Sequence, residues 1–374
     1  MKNPIDLAAE AAAFADQYQM LPQGSTVLCA VSGGKDSMAL LSVLQTLAPE
    51  RNLMIHAAHF NHQLRGEESQ RDEDFVSKWC ADHNIPLTIG SGDVAQAAQE
   101  QGKGIEETAR AMRYGFLTET AQEVGAEKIA TAHNADDNAE TVLLHLVRGS
   151  GLDGLTGIPP VRGILIRPLL GVPRIDIEVY LAQENIPHVE DSSNQDTKFA
   201  RNRIRQAILP VMKDLNPAFV STLSANLVHL REDRELLHDM AESVTCEALV
   251  EDGKVSIQAA SLADLPHPIA ARAVKQLLAK AGRFQVSAVH IDQIIELATG
   301  EPPSANLNLP EGLFAWREYE NLVICPAEAI PPSFSLRLLT GPGVFALDNG
   351  WQIEIEETTC PEIPAQEEYE WDID

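Results

Sequence analysis

Strand and helix signals alternate along residues 25–149, and this alternation limits the possible folds more than any other feature of the sequence. Four short apolar runs are typical of buried strands, and each precedes a segment with helical periodicity. The strands are predicted at 25–33, 53–60, 86–91 and 128–133, and the helices at 36–48, 67–83, 105–124 and 135–149. This order predicts an α/β fold, namely a doubly wound and mostly parallel sheet with helices on both faces.

The rest of the chain has a different character. Segment 150–200 is rich in Gly and Pro, a long helix is predicted at 218–249, and shorter helices are predicted at 260–300. Short strands and turns follow from about 303. We therefore predict an α/β domain over 1–216, a smaller and mainly helical domain over 217–330, and an acidic, β-rich tail over 331–374.

The charge balance argues against a protein that binds polyanions through its whole surface. The chain has 55 acidic and 28 basic residues among its 374, a net charge of -27, so nonspecific affinity for nucleic acid should be poor. The distribution is uneven, however, because residues 198–205 hold four basic side chains and no acid. A local site for an anionic partner is therefore compatible with the overall charge.

Cysteine usage and hydropathy exclude other classes of protein. The five cysteines are odd in number and widely separated, which excludes a disulfide scaffold and a CxxC metal site. No apolar run approaches the roughly 18 residues that a membrane helix requires. The sequence thus predicts a cytoplasmic protein that does not contact membranes.

The polar loop after the first predicted strand is the strongest functional signal. Adjacent glycines allow a tight turn with exposed N–H groups, and the following helix N-terminus favours anions, so the loop is suited to phosphates. Lys35 adds positive charge, and Asp36 can hold Mg²⁺ together with the phosphates. The residues therefore predict a phosphate site, although a plain strand–helix turn is the simpler interpretation. The six residues of the loop are Ser32, Gly33, Gly34, Lys35, Asp36 and Ser37.

Two further clusters follow later strands, and each has a plainer structural interpretation. Arg110 and Arg113 lie on one face of a predicted helix, where arginines bind phosphate or simply form surface salt bridges. Asp136, Asp137 and Glu140 open another helix. One acid of the pair is expected to cap this helix, but three acids on one turn exceed what capping needs. The histidines His59 and His62 are interpreted as hydrogen-bonded loop residues rather than zinc ligands.

Eight motifs in order give the sequence a close resemblance to one family. The patterns are SGGxDS, NHxLR, ExxARxxRY, HxxDDQxET, RGxGxxGLxGxP, RPLL, DxSN and RNRIR, and the chain carries all of them between Ser32 and Arg205. This set resembles that of the bacterial tRNA(Ile)-lysidine synthetases, in the PP-loop ATP pyrophosphatase superfamily. The resemblance is strong over roughly 20–215 and weaker over 218–330, and it implies that 217–330 form a helical tRNA-recognition domain.

The resemblance implies a reaction and a set of roles. ATP, L-lysine and a tRNA(Ile) with a CAU anticodon would give lysidine, AMP and pyrophosphate, through an adenylated wobble cytidine, so that the anticodon reads AUA. ATP would bind the loop 32–37, Asp36 would hold Mg²⁺, and the catalytic residues would be Asp36, Arg110, Arg113, Asp136 and Asp137. The lysine ammonium or Mg²⁺ would be bound by Asp136, Asp137 and Glu140, and tRNA phosphates or ATP by Arg201, Arg203 and Arg205. A salt-bridged structural role for these last three arginines is a competing interpretation.

The sequence departs from the family pattern in two places. Asn138 stands where the family usually has Gln, for which we expect a minor effect. Residues 369–374 resemble the opening of a further C-terminal domain that longer relatives carry, so the tail 331–374 is a candidate linker to such a domain. Two alternatives also stay open: another PP-loop enzyme such as a tRNA 2-thiocytidine synthetase, and a nucleotide-dependent RNA-binding protein without catalysis. A homodimer is a further hypothesis.

Overall fold

The computed structural model describes residues 5–64, 66–190, 200–251, 253–282, 286–300, 304–326, 342–346 and 352–355. The chain forms two compact units, Met1–Leu237 and His238–Asp374. The division falls inside a helix, beyond the predicted boundary between 216 and 217. The domain limits given above remain predictions.

The first unit contains the predicted parallel sheet. Its strands are β1 (Thr26–Ala30), β2 (Met54–Asn61), β3 (Leu87–Ser91), β4 (Lys128–Ala130), β5 (Val161–Arg162) and β6 (Leu165–Ile166). They lie in the order β3-β2-β1-β4-β6-β5. Every neighbouring pair is parallel except β5 with β6, which form an antiparallel edge. The mostly parallel sheet is confirmed.

The helices of this unit include all four predicted within the alternation. In chain order they are α1 (Leu7–Gln17), α2 (Lys35–Arg51), α3 (Glu67–Asp82), α4 (Val94–Gln101), α5 (Ile105–Glu123), α6 (Ala135–Val147), α7 (Leu152–Leu155), α8 (Arg174–Gln183), α9 (Ala200–Arg203), α10 (Leu209–Leu215) and α11 (Phe219–Thr245). A π-helical turn, Ile204–Ile208, joins α9 to α10. α4, α8 and the β5–β6 hairpin were not predicted from the sequence.

Side chains of β1 point alternately into two cores, which explains why helices cover both faces. Val27 and Cys29 belong to the core formed with α1, α2 and α8, whereas Leu28 lies in a second core with Leu117 and Ala121 of α5. Because successive residues of a strand face opposite sides, one buried strand supplies both layers. The doubly wound arrangement therefore follows from the continuous apolar run of β1.

Strand order also identifies the place where a ligand can bind. The chain passes from β1 to β2 and β3 on one side, and then returns to β4 on the other side of β1. In open α/β sheets such a reversal leaves a crevice beyond the carboxyl ends of the two strands. The segments that leave β1 and β4, residues 31–34 and 131–134, therefore meet at this crevice.

The described residues of the second unit include the end of α11, further helices and a five-stranded antiparallel sheet of order β7-β8-β11-β10-β9. The strands are β7 (Leu249–Glu251), β8 (Lys254–Gln258), β9 (Ser304–Leu309), β10 (Leu313–Glu318) and β11 (Asn321–Pro326), and the helices are α12 (Ala260–Ala263), α13 (His267–Lys280) and α14 (Ala288–Thr299). The short helices and the strands from about 303 are confirmed, but β7 and β8 were not predicted.

Most of the predicted tail, 331–374, lies outside the described residues, apart from the hairpin β12 (Gly343–Ala346) and β13 (Gln352–Ile355). No described helix is both long and apolar enough to cross a membrane.

Gly90 of β3 offers a direct test of this packing. A Cβ at this position would lie 2.5 Å from two ring carbons of Phe116, so Gly90→Ala should destabilise the fold by about 1–3 kcal/mol through overpacking. Gly115, in the exposed part of α5, has nothing within 4 Å of the same added atom. Gly115→Ala should instead stabilise by about 0.5–1 kcal/mol. Urea unfolding of both variants checks the pair, and equal effects of the same sign would contradict the packing described.

Candidate active site

The loop between β1 and α2 is held by hydroxyl groups of its own. Gly33 adopts a φ of 89°, in the region that favours glycine. The Ser37 hydroxyl donates to the Gly34 carbonyl at 2.9 Å and accepts from the Ser32 backbone N–H at 3.2 Å. The Ser32 hydroxyl in turn accepts from the Gly34 N–H at 3.4 Å. These hydrogen bonds fix the turn, which places the N-terminus of α2 at the crevice.

Lys35 of this loop reaches a partner that the sequence did not suggest. Its ammonium lies 3.2 Å from Glu178 Oε1 on α8, and both side chains are about two-fifths exposed, at 39% and 41%. An exposed pair of this kind contributes little to stability. Lys35 is therefore loosely held and can turn towards a phosphate.

Asp36 lies in an environment unfavourable to its charge. Burial, followed by the nearby Asp137 carboxylate, raises the pKa of Asp36 from about 3.8 to about 6, although Arg174 offsets part of this shift. One carboxylate oxygen, Oδ1, is buried and accepts no hydrogen bond from the described part of the chain. A partly desolvated carboxylate with one unbonded oxygen at a phosphate loop fits a Mg²⁺ ligand, because a cation would supply the partner that Oδ1 lacks.

The acids of α6 show two different environments. Asn134 and Asp137 form a capping box, in which the Asp137 N–H donates to Asn134 Oδ1 at 3.0 Å and the Asn134 N–H donates to Asp137 Oδ2 at 3.1 Å. The expectation that one acid of the pair caps the helix is confirmed. The Asp136 carboxylate instead accepts hydrogen bonds from the backbone N–H of Arg174 at 2.8 Å and from the Lys213 ammonium at 2.5 Å.

Two of the predicted tRNA-binding arginines contact these acids. Arg205 Nε donates to Glu140 Oε1 at 2.6 Å, and Arg201 Nε donates to Glu140 Oε2 at 2.9 Å. Both guanidinium groups also approach Asp137 Oδ1, at 3.1 and 3.4 Å. The Glu140 side chain is fully buried, at 0% exposure. Arg201 and Arg205 therefore form salt bridges in this structure, as the competing interpretation predicts. Arg203 is exposed and makes no ion pair within the described residues.

A second basic cluster surrounds Tyr114 and His133. The guanidinium groups of Arg110 and Arg113 lie 4.8 and 5.5 Å from the centre of the Tyr114 ring. Burial, together with the positive charges of Arg167, Arg201, Arg110 and Arg113 in that order, lowers the pKa of His133 to about 3. His133 is therefore neutral at physiological pH, and the surrounding positive charge favours an anion.

The structure thus brings most of the predicted residues to one edge of the sheet. Residues 32–37 follow β1, the acids follow β4, and the Asp137 carboxylate is close enough to Asp36 to raise the pKa of Asp36. The predicted motif at 191–194 and Arg65 of the second motif lie outside the described residues. The buried His59 ring bonds the Val31 carbonyl at 2.9 Å, so the expected hydrogen bond is present, but His59 lies within β2 and not in a loop as predicted.

Sequence reasoning missed two cations that contact the acids, Arg174 and Lys213. Arg174 opens α8 directly after Pro173, and its guanidinium lies 3.2 Å from Asp137 Oδ1. A proline just before a segment of helical periodicity is a recognised start signal, and it was present in the sequence. Lys213 lies beyond the π-helical turn, where the helical spacing changes, so no pattern linked it to Asp136.

Comparison with known proteins gives consistent results. A family model described as a PP-loop domain matches residues 7–212, and one described as a TilS substrate binding domain matches 258–323. The tRNA(Ile)-lysidine synthase of Geobacter sulfurreducens is 34% identical over 366 residues, covering 96% of this chain and 78% of the relative. The same enzyme of Caldanaerobacter subterraneus subsp. tengcongensis is 33% identical over 344 residues, covering 89% and 72%.

Among solved structures, the tRNA thiolase NcsA from Methanococcus maripaludis matches with a TM-score of 0.50 at 17% identity. The match covers 60% of this chain and 79% of that one. At this identity the likeness shows the fold alone.

The raised pKa of Asp36 predicts a stability gain when its charge is removed. Between about pH 4 and 6 the folded chain binds a proton at Asp36 that the unfolded chain has released, so stability falls as pH rises through this window. Asp36→Asn should therefore raise the melting temperature at pH 7.5 and have little effect near pH 4. Asp214→Asn, at an exposed position of α10, is the control. A gain that does not depend on pH would contradict the assignment.

Proposed function

The chain belongs to the family of tRNA(Ile)-lysidine synthases, ATP-dependent ligases, and we propose that it joins L-lysine to C2 of the wobble cytidine of a tRNA(Ile) with a CAU anticodon. ATP would be cleaved to AMP and pyrophosphate, and the modified anticodon would read AUA. The observation that supports this most directly is the arrangement of the phosphate loop, Asp36 and the acids of α6 around one crevice.

The first step is adenylation of the cytidine. The cytosine C2 oxygen attacks the α-phosphorus of ATP, pyrophosphate leaves, and C2 becomes electrophilic. Backbone N–H groups at residues 32–37 and the Lys35 ammonium would bind the departing pyrophosphate. Arg110 and Arg113 would stabilise the negative charge of the adenylate, because the cluster around His133 already concentrates positive charge.

We assign Mg²⁺ to Asp36. The ion would be held by this carboxylate together with phosphate oxygens and water, since no group of three or more potential ligand side chains occurs in the described part of the chain. When bound, the ion would neutralise charge on the phosphates and compensate the desolvated carboxylate. A raised pKa of the Asp36 carboxyl is therefore expected only while the ion is absent.

The second step is attack by lysine. Its ε-amine displaces AMP from C2, which requires the substrate to be gripped and its ammonium to lose a proton. Asp136, Asp137 and Glu140 would bind the amines, and the cations that contact them would attract the lysine carboxylate. A cluster that contains both signs of charge suits a zwitterionic substrate with an additional ammonium.

The tRNA would contact Arg203 and, after a rearrangement of their ion pairs, Arg201 and Arg205. We place the protein in the cytoplasm, and a homodimer remains a hypothesis. A thiocytidine synthetase is less well supported, because its sulfur chemistry needs clustered cysteines. The described cysteines are dispersed: Cys29 is in β1, Cys80 in α3 and Cys325 in β11, and Cys246 follows α11. A non-catalytic RNA-binding protein would not need Asp36 and the α6 acids.

Incorporation of radiolabelled lysine into an unmodified tRNA(Ile) transcript tests the proposed function. We expect ATP-dependent incorporation that Asp36→Asn lowers about 100-fold or more, because a ligand of the reacting phosphates is lost. The higher stability expected of this variant removes unfolding as an explanation. A transcript with a CAU anticodon in an initiator tRNA body is the substrate control. Exchange of pyrophosphate into ATP without lysine incorporation would contradict the second step. The absence of both exchange and incorporation would favour the non-catalytic alternative.

Arg203 provides a separate test of tRNA binding. Arg203→Ala should raise KM for tRNA about three- to tenfold and reduce the salt dependence of binding by about one ion, with KM for ATP unchanged. Arg71→Ala, at an exposed arginine of α3 that pairs with Asp72, is the matched control. Arg201→Ala and Arg205→Ala should instead lower stability as well, because Glu140 would lose a buried partner. An unchanged KM for tRNA in the Arg203 variant would contradict this role.

A further inference from the structure

The turn Thr156–Ile158 lies directly on helix α6. Gly157 has a φ of 69°, and a Cβ added there would collide with the amide oxygen of Asn138 and approach Val142 Cγ2 to 3.0 Å. The Ile158 N–H donates to the same amide oxygen at 2.7 Å. Asn138 is itself buried, at 2% exposure. One side of the turn is therefore fixed by a side chain that directly follows Asp137.

The other side of the turn is held by an arginine of α11. Arg231 Nε donates to the Thr156 carbonyl at 3.2 Å, and its Nη2 donates to the Ile158 carbonyl at 3.1 Å. These two carbonyls flank Gly157, so one planar guanidinium holds both ends of the turn. A lysine, with a single ammonium, could not reproduce this two-point contact.

Arg231 is buried, at 8% exposure, and no carboxylate pairs with it among the described residues. Burial lowers the pKa of its guanidinium, and the Tyr18 hydroxyl offsets part of this effect. A buried cation balanced mainly by carbonyl dipoles is costly compared with an apolar side chain of the same size. The guanidinium offers a geometric advantage instead, because its two N–H groups fix the positions of both carbonyl groups.

We propose that Arg231 is a positioning residue for the lysine-transfer step, acting through the Thr156–Ile158 turn and Asn138 on the first turn of α6. This inference rests on the proposed function. The chain of contacts runs from Arg231 to the turn, from the turn to Asn138, and along α6 to the neighbouring Asp137 and Glu140. The phosphate loop lies on a different element, α2, and is not part of this chain of contacts.

Arg231→Met and Arg231→Lys test the proposal, with Arg234→Met on the same helix as the matched control. In Arg231→Met we expect kcat for lysine incorporation to fall about 10- to 100-fold, as small displacements of catalytic groups do. KM for lysine should rise, while tRNA-dependent exchange of pyrophosphate into ATP should stay within about twofold of the natural chain. The kcat of Arg231→Lys should lie between those of Arg231→Met and the natural chain. Arg234→Met should have the kcat of the natural chain.

Hydrogen exchange provides a readout that does not depend on the reaction. Amides of residues 156–158 and of the first turn of α6 should exchange faster in Arg231→Met, and those of residues 32–37 should not. This result would support the positioning role even if lysine proved not to be the substrate. Unchanged exchange at the turn, or equal losses in the pyrophosphate and lysine reactions, would overturn it.

A double-mutant cycle separates positioning from a general loss of stability. Because Asn138 and Arg231 hold the same turn, Asn138→Ala and Arg231→Met together should cost little more in kcat than either alone. Asn138→Ala combined with Arg234→Met should show only the effect of the first change. Additive losses for Asn138 and Arg231, in variants that remain folded at the assay temperature, would also overturn the proposal.

Discussion

The pairing of Glu140 with Arg201 and Arg205 is the interaction on which the crevice depends. Glu140 is fully buried, and an isolated carboxylate in that position would be strongly disfavoured. The two guanidinium groups compensate it and at the same time attach residues 200–205 to α6. Without the two arginines, Glu140 would be a buried carboxylate with no cation in contact, and residues 200–205 would contact α6 through apolar side chains such as Ile204.

The charges of the site are also interdependent. Asp137 caps its own helix, contacts Arg174, Arg201 and Arg205, and raises the pKa of Asp36. Because Asp137 shares these partners, the contributions of the individual groups to stability cannot be added.

Much of the sheet could be predicted from the sequence because its strands are short apolar runs, each followed by a periodic helix. The phosphate loop could also be predicted from the sequence, because its residues are contiguous. The pairing of Arg201 and Arg205 with Glu140 was not, because it joins positions about sixty residues apart in the chain. α8 was missed for another reason: its segment was interpreted by its Gly and Pro content, although Pro173 marks where the helix begins. The role of Arg174 was lost with it.

The π-helical turn Ile204–Ile208 has a consequence for how this site tolerates changes in chain length. A π turn accommodates one residue more than an α-helical turn, and it therefore rotates α10 relative to α9. Arg205 on this turn meets Glu140, and Lys213 beyond it meets Asp136. Loss of a single residue from this turn would restore a regular helix and turn Lys213 away from Asp136. The site would then be altered although none of its side chains had been substituted. The number of residues in this helical segment is thus as much a part of the site as the side chains themselves.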